Sequence, residues 1–188
     1  MNYMKVIFST NIPSPYRVDF FNEFGKYCDL TVLYERKTAD DRDKSWKSDT
    51  AKSFKEVYLD LKPLASDQSY GAALKKYVKN NPADFLIFTN YISPATISAV
   101  VYCKTHGVKY CVEYDGGFDK KSGFCKRALK TFLLKKAAAH FTTSECHMNY
   151  LRKLGIPSES IYKYPFTSVK EKDIIENPLS DIEKAELR

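Results

Sequence analysis

The run Glu113-Tyr114-Asp115-Gly116-Gly117 closes an apolar segment and combines two carboxylates with two glycines. Carboxylates accept hydrogen bonds from hydroxyl-rich ligands or take up a proton, and glycines let a ligand approach the backbone. Glu113 belongs to the apolar segment; Asp115 lies past its end, is the candidate to point into a crevice, and is a weak catalytic candidate, with Gly116 and Gly117 beside it. The competing reading is a polar turn with its glycines at positive φ. A second set of residues comes as a repeat. Thr10-Asn11-Ile12-Pro13-Ser14-Pro15 recurs in pattern as Thr89-Asn90-Tyr91-Ile92-Ser93-Pro94. Ser14 and Ser93 can cap a helix, and Pro15 and Pro94 suit the first helical position, where no N–H is needed. Tyr16 and Arg17 then open the first helix, where a cation near the positive helix end suits an anionic or hydroxyl-rich ligand. The alternatives are a solvated Arg17 and a core ring at Tyr16.

Other chemistry finds little support. The first turn has no G-x-G-x-x-G run, and Pro13 and Pro15 stiffen it, which argues against a tight pyrophosphate site. His140 lies inside an apolar strand pattern and reads as a core histidine, whereas His147, on the following helix, is open to either reading. No Ser-His-Asp or Cys-His spacing points to a hydrolase, and no His, Cys and carboxylate cluster points to a metal.

The elements that must position these residues alternate along the chain. Strands are expected at 4–10, 29–34, 54–60, 84–89, 108–114, 139–144 and 160–164. Helices are expected at 15–27, 70–80, 93–105, 123–138 and 145–154, with a polar loop at 35–53. Tyr16, Phe20, Phe21, Phe24 and Tyr27 share one face of the first helix, and Thr142 with Glu145 has the spacing of a capping box. The alternation implies an α/β fold, a Rossmann-like three-layer αβα sandwich with a mostly parallel sheet. In a strand order 3-2-1-4-5 the two Thr-Asn loops meet at the switch point, where ligands bind, so Asn11, Pro13, Ser14, Asn90, Tyr91 and Ser93 are expected to line one cleft. Residues 1–168 read as one domain, and 169–188, rich in acids and lysines, as a linker or surface helix.

Composition sets the bounds. The chain has 188 residues, 44% hydrophobic and 28% charged, with 12 Phe and 14 Tyr, as a globular domain with ring-lined clefts requires. No apolar run reaches membrane-spanning length, and Met1-Asn2-Tyr3 leads directly into a strand without a signal peptide. Five scattered cysteines read as reduced core thiols, which places the protein in the cytoplasm. The net charge of +7 is concentrated: residues 120–136 contain Lys120, Lys121, Lys126, Arg127, Lys130, Lys135 and Lys136 and no acid. Cys125, Leu129, Phe132 and Leu133 form an apolar stripe there, flanked by Lys126, Arg127 and Lys130. The segment reads as a solvated basic face, as a contact with anionic membrane, or as a nucleic-acid surface. No RNP, zinc or helix-turn-helix signature supports the last, and no nucleic-acid partner is expected.

NIPSPYRVDFFNEF followed by CDLTVLYE resembles the opening of family 4 glycosyltransferases. VEYDGGF, HFTTSECHMNYLRKLGIPSESIYKYPFT and the final NPLSDIEKAELR extend the resemblance over nearly all of the chain. It implies one half of a two-Rossmann GT-B fold, the acceptor-binding N-terminal half. By the same resemblance the nucleotide-sugar donor and the paired glutamates belong to a C-terminal half, so this half binds no cofactor. The implied partner is a sugar or lipid-linked sugar acceptor at the inner membrane face, the implied outcome is retention of anomeric configuration, and contact with the acceptor is the safer role for Glu113–Gly117. Polysaccharide or glycolipid synthesis is the expected setting. The alternative from another class is a stand-alone α/β domain binding phosphate or a small ligand. A receiver lacks its paired acids here, and a flavodoxin its hydroxyl- and glycine-rich phosphate loop.

Overall fold

The computed structural model describes residues 3–38, 51–65, 68–89, 91–114, 123–166, 168, 169, 171, 174 and 177–186. Six-residue runs with apolar side chains on both faces form the centre of the sheet. In β1 (Lys5–Thr10), Val6 and Phe8 point into one core and Ile7 into the other. β2 (Asp29–Tyr34) divides likewise, with Leu30, Val32 and Tyr34 on the first side and Leu33 on the second. Burial on both faces is why these strands read as continuous apolar runs and not as strict alternation.

The chain continues through β3 (Lys55–Tyr58), β4 (Lys62–Ala65), β5 (Gln68–Tyr70), β6 (Phe85–Phe88), β7 (Cys111–Tyr114), β8 (Ala139–Thr142) and β9 (Ile161–Lys163). Seven of these strands form one parallel sheet in the order β3-β2-β1-β6-β7-β8-β9. The sequence therefore runs outward in one direction from β1 and then in the other from β6, with the reversal between them. The helices follow the same division. α1 (Pro15–Phe24) covers one face through Phe20, Phe21 and Phe24. α2 (Ala73–Asn80), α3 (Pro94–Thr105), α4 (Phe124–Leu134) and α5 (Glu145–Lys153) contribute to the core on the other. Right-handed crossovers on a sheet that reverses direction at its centre put the helices on opposite faces.

Several expectations are corrected. Tyr70 and Gly71 do not belong to the helix expected at 70–80: Gln68–Tyr70 pairs antiparallel with β4 as a hairpin, and α2 starts after Gly71, whose φ of 140° suits only glycine. The cap of α5 is Ser144, which accepts a hydrogen bond from the His147 N–H at 3.3 Å, while Thr142 Oγ1 accepts from the Ser144 N–H. The reciprocal capping box occurs further on, at α6 (Asp181–Glu186), where Ser180 Oγ accepts from Glu183 N and Glu183 Oε2 accepts from Ser180 N. Tyr27 lies beyond α1 and is 77% exposed. Cys28, Cys103 and Cys111 are buried as expected, but Cys125 and Cys146 are exposed. Gly25 is required by proximity: a Cβ there would stand 2.0 Å from the Ser53 carbonyl oxygen. Asn22 fixes the same segment by accepting from Lys52 N at 2.7 Å and Ser53 N at 3.3 Å.

Candidate functional site at the strand reversal

β1 and β6 are adjacent and parallel, with Ser9 opposite Phe88, so the loops that leave them open at the same sheet edge. Thr89 seals the pair by donating its N–H and its hydroxyl to the Ser9 carbonyl at 3.2 and 3.3 Å. In the first loop Asn11 Oδ1 accepts from the N–H of the next residue, Ile12, at 2.8 Å, which fixes the Asn11 side chain against its own backbone at the strand end. Pro13 is half-buried, Ser14 buried, and Pro15 begins α1. Both serines occupy the cap positions, yet neither side chain makes a cap hydrogen bond. Ser93 instead donates to the Ser69 carbonyl at 2.7 Å and accepts from the Ser69 N–H at 3.1 Å, fastening the β4–β5 hairpin to the start of α3. Tyr91 is half-buried edge-on to Tyr114 at 5.5 Å, and burial, with Tyr150 nearby, pushes its hydroxyl up to about 12. It is held neutral. Asn90, Asp115, Gly116 and Gly117 lie outside the described residues.

Arg17 and Glu113, 96 positions apart, meet. Arg17 is 4% exposed and its Nη2 donates to both carboxylate oxygens of Glu113 at 3.1 Å. The Phe166 ring lies 4.8 Å from the guanidinium, and the Tyr164 hydroxyl donates to the same carboxylate. Tyr16 packs edge-on to Phe166 at 5.8 Å. The segment leaving β9 thus folds over the pair and joins α1 to β7. Arg17 and Glu113 form a buried, mutually neutralising unit, and Tyr16 is a packing ring beside it. Sequence reasoning missed Tyr164 and Phe166; the aromatic pair flanking Pro165 was their only signal.

Glu35 was also missed. It directly follows β2 and is 1% exposed, and its Oε1 accepts from Thr96 Oγ1 at 3.2 Å. Burial raises its pKa; the Ser69, Thr96 and Ser93 hydroxyls and Arg36 oppose that rise without reversing it. His140 behaves in the opposite sense. Burial, with His147 nearby, lowers it to about 4, and its Nδ1 shares a hydrogen with the Tyr114 hydroxyl at 2.9 Å. Its core reading stands, and His147, buried against Tyr114 with ring centroids 4.4 Å apart, joins it. No cluster of three or more His, Cys, Asp or Glu side chains suited to a metal occurs among the described residues.

The architecture is a Rossmann-like α/β fold of the GT-B kind, its strand order reversing between β1 and β6. It matches UDP-N-acetylglucosamine 2-epimerase from Rickettsia bellii with a TM-score of 0.55 at 12% identity, over 87% of this chain and 45% of that one. Anabaena Alr3699/HepE, in complex with UDP and glucose, matches with a TM-score of 0.53 at 11% identity over 87% and 44%. Arabidopsis thaliana UGT89C1, complexed with UDP-L-rhamnose, matches with a TM-score of 0.55 at 10% identity over 98% and 54%. The chain spans about half the length of these structures. No family model and no curated protein sequence matches it.

Proposed function

We propose that this chain is the acceptor-side, N-terminal half of a nucleotide-sugar-dependent glycosyltransferase of the family 4 type, acting in polysaccharide or glycolipid synthesis with retention of configuration. The observation that carries the reading is that the loops after β1 and β6 leave adjacent parallel strands at one sheet edge, in a fold matched by enzymes whose structures hold UDP, glucose or UDP-L-rhamnose. In this reading Asn11, Pro13, Asn90 and Tyr91 contact the acceptor, the neutral Tyr91 hydroxyl being suited to hydrogen-bond a sugar, while the buried Ser14 and Ser93 support the two loops from within. Asp115, Gly116 and Gly117, which follow β7 in the sequence, are assigned contact with the acceptor. Arg17 and Glu113 act as positioning residues, holding α1 against β7 so that the first loop keeps its place. The donor sugar binds the other half, and this half needs no cofactor. The acceptor is a sugar or a lipid-linked sugar, reached from the cytoplasmic side, and nucleic acid is not a partner.

Amide NMR titration of the chain with a panel of acceptor saccharides tests the site. Shifts confined to residues 11–16, 91–93 and 113–117 are expected, with radiolabelled nucleotide sugar turned over only at background. Turnover well above background by the isolated chain, or shifts gathered at the opposite sheet edge around Met4, Asp29 and Asp84, would overturn the reading.

A further inference from the structure

Helix α4 carries its apolar side outward. At about 100° per residue, Phe124, Cys125, Ala128, Leu129 and Phe132 fall within an arc of about 140°. All five are exposed, Phe124 by 86%, Leu129 by 46% and Phe132 by 52%. The core takes only Leu133 and Leu134 from this helix. The core position expected of Cys125 is therefore reversed. On the inward flank two cations fasten the helix: Arg127 donates to the Lys153 carbonyl at 3.0 Å and Lys130 to the Tyr150 hydroxyl at 3.2 Å. Lys126, Lys135 and Lys136 are exposed, and Lys104 of α3 lies over the Phe132 ring at 3.4 Å.

We propose that this face docks on an anionic lipid surface. Two exposed rings and a leucine bordered by lysines have the character of a helix lying in a membrane interface, rings at the acyl boundary and ammonium groups among phosphates. The absence of any acid from residues 120–136 makes the segment complementary to negative charge alone. A second copy fits poorly, since a twofold contact through this face would set its lysines against their own counterparts. No helix among the described residues is long and apolar enough to cross a membrane, so the contact is with the surface. The inference rests on α4 and is independent of the proposed sugar chemistry.

The test is co-sedimentation of the chain with vesicles of phosphatidylcholine containing phosphatidylglycerol, against phosphatidylcholine alone, at low and high salt. A polarity-sensitive dye on Cys125, in a Cys146→Ser background, reports insertion. Binding to the anionic vesicles at low salt, with a blue shift of the dye, is expected. Phe124→Glu with Phe132→Glu should abolish both while the circular dichroism stays unchanged; Phe124→Leu with Phe132→Leu should keep them. Lys126→Glu, Lys135→Glu and Lys136→Glu together should lower the vesicle partition by on the order of a hundredfold, at about one tenfold step per 1.4 kcal/mol and about 1 kcal/mol per cation. A wild-type chain that ignores anionic vesicles overturns the proposal. So does binding that survives the Phe-to-Glu pair, or self-association abolished by that pair without vesicle binding.

Discussion

The Arg17–Glu113 pair concentrates much of the site's order in one contact. Both side chains are almost fully buried, so removing one leaves the other charge without its partner in a medium that solvates it badly. Arg17→Ala should cost about 3–5 kcal/mol in urea unfolding, whereas Arg17→Met combined with Glu113→Leu should cost distinctly less. Titration sets two further residues against each other. Glu35 has a raised pKa in the folded state, so its contribution is fully present below the unfolded carboxyl value and is lost as pH rises through the folded one. Glu35→Gln should match the wild type in acid and exceed it in urea midpoint near neutrality. His140 falls to about 4 from an ordinary 6.5, so the unfolded chain binds the extra proton between those values and stability drains away as pH falls through them. His140→Gln, which can still hydrogen-bond Tyr114, should flatten that acid limb. Of these, only the burial of His140 was legible in the sequence pattern. Arg17 and Glu113 could be singled out as polar residues at strand and helix ends, but their meeting across 96 positions is a product of the fold. Glu35 sat at the edge of a polar stretch and looked like loop.

At the scale of elements, the parallel strands could be read because burial on both faces demands unbroken apolar runs. The β4–β5 hairpin could not: Lys62–Ala65 is wholly exposed, contains a proline and has no apolar pattern to betray it. Tyr70 and Gly71 were read into α2 because the helix pattern of Ala73–Asn80 extends backward through small residues. For α4 the periodicity was visible, but periodicity defines a stripe without saying whether protein or solvent meets it. Leu133 and Leu134 anchor that helix, and Leu134→Ala should cost about 2–5 kcal/mol. Gly25 makes a sharper element-scale case. Its backbone is ordinary right-handed helix, so the constraint is space, not conformation. Gly25→Ala should push residues 52–54 off Asn22 and lower stability by about 1–3 kcal/mol in thermal or urea unfolding.

For the whole molecule, the two faces of the sheet are unequally dressed. Four helices supply the core on one side, and α1 with the Phe166 segment supplies what is described on the other. The fold class could be argued from alternation alone; the lopsided cover could not, because it depends on where the sheet reverses. That reversal also governs how the protein emerges during synthesis. Of the described strands β1 is made before the others, and it stands near the middle of the sheet. Its partner on one side, β2, arrives soon after, whereas its contact on the other side, Lys5 N–H to Asp84, spans 79 positions. At about 5–20 residues per second the ribosome needs roughly 4–16 s to deliver that second partner. During that interval the nascent chain carries an apolar strand with one unsatisfied edge, the kind of surface that recruits wrong strands. Beyond β6 the strands β7, β8 and β9 lie in the sheet in the order in which they are translated, so each has its inner neighbour already made when it emerges.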